Sequence, residues 1–141
     1  MIVVDTTVVF ALLDRRDRGH ERARAWYEAT ADRLATTPLV LAEVDYFASR
    51  AGRAALSAFR RDVARGSYLV EWWPSAPQEI VEVAERYTDF GVSMTDASLV
   101  ALAARIDSTV VATFDERHFR AIRPLSGENA FTLLPADWTP A

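Results

Sequence analysis

Two short β-branched runs, Ile2–Val4 and Thr109–Thr113, lie far apart in the chain, and an aspartate follows each of them. Runs this short and this apolar read as strands buried on both faces. Between them the pattern changes to a helical period. His20–Leu34 carries Ala23, Trp26, Tyr27, Thr30 and Leu34 on one stripe, and Ala76–Phe90 turns Ile80, Val83, Ala84 and Tyr87 inward. Strands that alternate with helices of this length predict an α/β fold with a mainly parallel central sheet flanked by helices in three layers.

The rest of the chain fits that frame. Thr6–Leu13 reads as a short helix, and Arg15–Gly19 as an Arg-rich turn. Ala35–Thr37 reads as a strand, with Pro38 opening a helix that runs to about Arg50 and stops near Gly52. A further helix covers Ala54–Arg65 with Gly66 as its stop, and Tyr68–Trp72 is a strand followed by a turn at Pro74 and Pro77. Thr95 is placed to cap a helix over Asp96–Ile106, and Phe131–Leu134 forms a last strand. With 141 residues and no repeat or linker, residues 1–141 are expected to form one domain.

Composition removes several chemistries. There is no cysteine, hence no disulfide, thiolate metal site or thiol nucleophile. Only His20 and His118 could supply imidazole, so carboxylates are the main candidate ligands, and these suit magnesium or manganese. All 16 basic residues are Arg, which excludes any mechanism that needs a lysine. The net charge of −4 argues against coating nucleic acid by bulk charge, though not against a local basic rim. The opening MIVVDTTVVFALLD has no basic leader, and Asp5 interrupts its apolar run. Neither a signal peptide nor a membrane span is expected, and a cytoplasmic location follows.

In parallel sheets, ligands bind at the carboxyl edge of the strands. Asp5 ends the first strand and Asp115 lies just past the run Thr109–Thr113. Asp96 opens the helix that leads into that run, and Glu43 falls early in the helix after Ala35–Thr37, so all four acids are expected at one edge. Taken singly, Asp96 reads as a first-turn anion on a helix dipole and Asp115 as a turn residue. Glu43 is harder to dismiss: its helical neighbours are Leu39, Val40, Tyr46 and Phe47, and a carboxylate buried among them is costly. Asp45 falls on another stripe, as a supporting group of the site or a solvated one. Two carboxylates about 5 Å apart repel by about 3 kcal/mol at an effective dielectric of about 20. Four together call for a cation, and a divalent metal that lowers the pKa of a water and aims it at a phosphodiester answers that need. Arg15, Arg16, Arg18, Arg117, Arg120 and Arg123 flank the same edge, where they either contact phosphates or are simply solvated. Trp72 and Trp73 either stack on bases or cover the core.

The segments MIVVDTTVVFALLD, TTPLVLAEVDYF, MTDASLVALA and VVATFDERHFRAIRP, in this order, resemble the PIN-domain family and within it the VapC-type toxins. The resemblance covers nearly the whole chain. It implies that Asp5, Glu43, Asp96 and Asp115 form the acidic quartet, with Asp5 and Asp96 as principal ligands of Mg2+ or Mn2+. Thr6 and Thr113 fall at hydroxyl positions near the site, Thr7 stands where many relatives have Ser or Asn, and His118–Phe119 match a common pair, Phe119 as core and His118 as a structural or RNA-edge residue. The implied activity is endonucleolytic hydrolysis of RNA, leaving a 5′-phosphate and a 3′-hydroxyl. The implied partners are a small VapB-type antitoxin and a second copy of the chain, a homodimer that assembles further with the antitoxin. Trp26, Tyr27, Tyr46 and Phe47 either line the antitoxin groove or are ordinary core. A housekeeping RNA-processing nuclease and a catalytically silent PIN binding module are the alternatives. Phosphoaspartate receivers and haloacid-dehalogenase phosphatases also gather acids at a strand edge, but both need a lysine.

Overall fold

The computed structural model describes residues 1–141. Five three-residue strands, β1 (Ile2–Val4), β2 (Leu34–Thr36), β3 (Tyr68–Val70), β4 (Val110–Ala112) and β5 (Thr132–Leu134), form one wholly parallel sheet in the order β3-β2-β1-β4-β5. Seven helices flank it: α1 (Thr6–Leu13), α2 (His20–Ala29), α3 (Pro38–Ala51), α4 (Arg53–Ala64), α5 (Ala76–Arg86), α6 (Met94–Arg105) and α7 (Glu116–Ala121).

Strand order decides where a site can form. From β1 the chain builds outward through β2 and β3 on one side, then returns to place β4 and β5 on the other. Between β1 and β4 the connections diverge, which opens a crevice at the carboxyl ends of those two strands. Asp5 and Thr113 are the first residues past those ends, and the Asp5 N–H bonds the Ala112 carbonyl at 2.9 Å. The register Val4↔Ala112 therefore delivers both side chains to the mouth of the crevice.

The centre of the sheet is rigid because nothing polar competes there. Val3, Val4, Ala35, Val111 and Ala112 are fully buried, under Val8 and Ala11 of α1, Val40 and Val44 of α3, and Leu99 and Leu102 of α6. Phe119 locks α7 onto this core, with its ring edge-on to Phe131 at 6.4 Å. Truncating such a ring costs about 3–5 kcal/mol. The His118 neighbour is thereby held at a fixed azimuth.

Several boundaries differ from the sequence reading, each for a physical reason. The stripe over His20–Leu34 breaks at Ala29 because Leu34 is a strand residue, paired with Ile2 on one side and Tyr68 on the other. The second strand starts at Leu34, not Ala35. The stretch Ala76–Phe90 is a helix to Arg86 and then a separate 3-10 turn, Thr88–Phe90, closed by Gly91 at φ 74°. Helix α6 begins at Met94, two residues before Asp96, and its cap is Ser93, not Thr95. Ser93 Oγ accepts the Asp96 N–H at 3.1 Å while the Asp96 carboxylate faces the Ser93 N–H at 3.5 Å. Such a reciprocal box contributes about 1 kcal/mol and fixes the Asp96 rotamer. No helix is long and apolar enough to cross a membrane.

Candidate active site

Asp5 is the best-held acid of the chain. It is 3% exposed, and its Oδ2 accepts hydroxyl protons from Thr113 at 2.7 Å and Thr7 at 2.9 Å. Each hydroxyl also accepts a backbone N–H from the loop after β4: Thr113 Oγ1 from Asp115 at 2.9 Å, Thr7 Oγ1 from Phe114 at 2.9 Å. The loop that carries Asp115 thus hangs on Asp5 through two threonines. Burial pushes the Asp5 carboxyl up to about 6; the two hydroxyls and the Thr6 N–H pull it down, and the charge of Asp96 pushes it up again.

Asp96 and Asp115 meet over an imidazole. Asp115 caps α7, with Oδ1 accepting the His118 N–H at 3.2 Å. His118 Nδ1 then lies 2.8 Å from Asp115 Oδ2 and 3.1 Å from Asp96 Oδ2. Burial raises the Asp96 carboxyl above its ordinary range. The Ser93 N–H lowers it, the Asp115 charge raises it, and His118 lowers it in turn. One ligand atom from each of Asp96, Asp115 and His118 falls within 4.8 Å of the other two. Two carboxylates this close, with a third buried beside them, make a region of concentrated negative potential at the crevice. The donors are hard oxygens with one imidazole, a set that fits a small divalent cation.

Glu43 has a different setting from the one its neighbours in sequence suggest. The buried line of α3 is Val40, Val44 and Ala48, whereas Tyr46 and Phe47 are 57% and 42% exposed. Glu43 is half-buried, with no hydrogen bond or ion pair to the protein. The expectation that Glu43 is buried among apolar neighbours is not met: of those neighbours Val40 is buried and Leu39 half-buried, while Tyr46 and Phe47 are exposed. Its helix does start beside Asp96, because Thr37 Oγ1 and Ser98 Oγ are 2.8 Å apart and both buried. No direct contact joins Glu43 to the other three acids.

The remaining candidates separate clearly. Thr6 Oγ1 is buried and bonds no protein atom, and the adjacent Thr7 makes the contact to Asp5 instead. Asp45 is committed to Arg60, with contacts of 2.8 and 3.2 Å, and does not support the acids. Arg120 is held by Asp137 at 2.6 and 3.0 Å and by Glu116 at 3.1 Å, which leaves it unavailable to a phosphate. Arg15 and Arg117 are exposed and bond no protein group. Trp73 is core, while Trp72 is 47% exposed. Trp26 is core, but Tyr27, Tyr46 and Phe47 are surface residues. Sequence reasoning left Ser93 without a role and noted Thr7 only as a departure from its relatives; His118, expected as a structural or RNA-edge residue, sets its Nδ1 between Asp96 and Asp115. The spacing of Ser93 and Asp96, three residues apart with an acid at the second position, was the available signal for the cap.

The chain has relatives among known proteins. The PIN domain family matches residues 2–124. The chain is 32% identical to Ribonuclease VapC26 of Mycobacterium tuberculosis over 136 residues, which is 95% of this chain and 100% of that protein. Among solved structures, Mycobacterium tuberculosis VapC20, described as a sarcin–ricin loop cleaving toxin, superposes with a TM-score of 0.77 at 20% identity, covering 89% of this chain and 98% of that one. A toxin–antitoxin complex from Klebsiella pneumoniae gives 0.62 at 18% identity, covering 88% and 94%.

Proposed function

The chain belongs to the PIN-domain family, and from that premise we propose that it is a magnesium- or manganese-dependent endoribonuclease acting as the toxin of a toxin–antitoxin pair. The observation that carries the reading is the crevice itself: buried Asp5 beside the Asp96–Asp115–His118 cluster, with no Arg paired to any of them. A cluster that served stability alone would be neutralised by a guanidinium, of which the chain has many. The similarity to a named ribonuclease over almost the whole chain supports RNA as the substrate.

Asp5, Asp96 and Asp115 would hold the cation, with Glu43 reaching it from α3 and His118 at its margin. When bound, a divalent cation supplies positive charge for the phosphodiester and lowers the pKa of water. The chain's own residues do the rest. Thr7 and Thr113 keep Asp5 aimed and favour its ionised form. Ser93 holds Asp96, and α7 holds Asp115, so that neither needs to reorganise. Arg15 and Arg117 are exposed and unpaired, which leaves them available to RNA phosphates in this reading.

The same reading gives the exposed aromatics a task. Phe47 packs on Phe10 at 5.9 Å and on Tyr46 at 5.6 Å, a surface cluster suited to the apolar segment of a small antitoxin. A homodimer of single-domain chains in the cytoplasm, bound by that antitoxin, completes the proposal; toxin–antitoxin complexes are among the structures of this fold. The test is cleavage of RNA by the purified protein with Mg2+ or Mn2+ and with chelator. Cleavage that needs the metal and vanishes in Asp5→Asn and Asp96→Asn, both folded, is expected. Equal cleavage by either variant overturns the assignment.

A further inference from the structure

Beside the acids lies a cleft of about 760 Å³ between the loop from α1 to α2 and the loop after β4. Its floor includes Thr7, whose hydroxyl holds Asp5, and one wall is Phe114. Phe114 stands between Thr113 and Asp115, two residues the site already uses. Its backbone is pinned by the bond to Thr7, and the residue is 37% exposed at the edge of the cleft.

Gly19 lies directly against the ring. A Cβ at residue 19 would lie 2.6 Å from Cε2 and Cζ of Phe114. Gly19 has φ −86° and ψ −2°, a conformation any residue adopts, so the backbone does not require glycine there. A side chain there would meet the tip of the Phe114 ring and make it shift. The loop thus supports Phe114 from one side and leaves it facing the cleft.

The charges around the ring are unevenly engaged. Arg16 is bound to Asp14 and to the Ala51 carbonyl, and Arg22 to the carbonyls of Pro135 and Trp138. Asp17 is occupied by the Gly19 N–H at 2.7 Å. Arg18 alone among these has no partner, and it is exposed on the cleft. A free guanidinium and a supported aromatic face at one opening match the two halves of a nucleotide, phosphate and base.

We propose that Phe114 and Arg18 form a nucleotide subsite next to the acids, in which the ring stacks on one unpaired base of the RNA and Arg18 takes a neighbouring phosphate. The inference rests on the ribonuclease reading above and sharpens it: the substrate is single-stranded at the nucleotide that flanks the cut. Stacking of this kind is tolerant of base identity, so the subsite positions the strand and does not select sequence.

The test is fluorescence anisotropy of the full chain with a short fluorescein-labelled single-stranded RNA in EDTA, where binding is read apart from cleavage. Phe114→Leu, which keeps apolar bulk but loses the ring face, should raise Kd roughly five- to a hundredfold. Phe114→Tyr should bind as the parent does. Gly19→Ala should weaken binding by displacing the ring, with no further loss when combined with Phe114→Leu. Arg18→Gln should weaken binding and reduce the salt slope by about one. A duplex RNA of the same sequence should be unaffected by Phe114→Leu. If the parent cuts RNA with metal while Phe114→Leu and Arg18→Gln bind and cut as it does, the subsite is wrong and the ribonuclease reading stands. If the parent neither binds nor cuts RNA, both are overturned. Unchanged RNA affinity with a lost protein partner would assign the ring to a protein interface instead, and also overturns the subsite.

Discussion

The hydroxyl of Thr113 donates to Oδ2 of Asp5 at 2.7 Å, joining the ends of the two central strands across 108 positions of sequence. Thr113 Oγ1 itself accepts the Asp115 N–H at 2.9 Å, so one threonine couples two of the site's acids. Thr113→Val keeps the shape and removes both bonds. Asp5 keeps the Thr7 hydroxyl but loses one of its two side-chain donors, and the Asp115 N–H loses its acceptor, an unmatched group costing about 1–3 kcal/mol. The expected outcome is a folded protein of lower Tm whose affinity for Mn2+ falls by about tenfold, since Asp5 becomes harder to ionise and Asp115 loses its tether. Titration of Mn2+ with calorimetry reads the second effect; affinity equal to the parent would mean the threonine has no part in holding the acids.

Asp5 also predicts a dependence on pH. Its carboxyl titrates at about 6 in the fold against about 3.8 when unfolded. The folded form holds the proton more tightly, so its contribution is fully present below about pH 4 and is lost as pH rises through about 6. The limit of that loss is about 3 kcal/mol. Metal-free protein should therefore lose stability between about pH 4.5 and about pH 7, and that loss should be smaller in Asp5→Asn, the remainder coming from Asp96, whose carboxyl burial also raises. Stabilisation by Mg2+ should run the opposite way, growing as pH rises through about 6, because the cation competes with that proton. A Mg2+ effect independent of pH over this range would remove Asp5 from the ligand set.

His118 predicts a separate cost. With the imidazole gone, Asp96 and Asp115 face each other within 4.8 Å, where two charges repel by about 3.5 kcal/mol at an effective dielectric of about 20. His118→Ala should lower the Tm of the chelator-treated protein, and saturating Mg2+ should close most of the gap. Thermal melts of parent and variant, with and without metal, give the comparison. A gap of the same size in both conditions would show that His118 acts through packing of α7 alone.

What the sequence disclosed depended on whether a signal was local. The runs at Ile2–Val4 and Thr109–Thr113 are apolar because they are buried on both faces, and that alone placed Asp5 and Asp115 at the carboxyl edge. The end of α2 was not legible, because Leu34 continues the helical stripe and only the pairing to Ile2 and Tyr68 claims it for a strand. Thr7 against Thr6 was undecidable for the same reason: both carry the hydroxyl, and the turn from β1 into α1 decides which one meets Asp5. Glu43 misled, since Leu39, Val40, Tyr46 and Phe47 read together as core, whereas only Val40 is fully buried and the two aromatics are exposed.

That surface makes Glu43 a clean probe. A half-buried carboxylate with no bond to the protein has no structural task, so Glu43→Gln should leave the metal-free Tm within the ±0.5 kcal/mol typical of surface changes. Removing it should even relieve a little repulsion at the crevice. If Glu43 reaches the cation from α3, the same variant should lose Mn2+ affinity and RNA cleavage together, by about tenfold or more for a ligand of that charge. Stability and function then move in opposite directions, which no packing defect reproduces. Unchanged Mn2+ affinity and unchanged cleavage would reduce the site to Asp5, Asp96 and Asp115, and leave Glu43 as part of the exposed face around Tyr46 and Phe47.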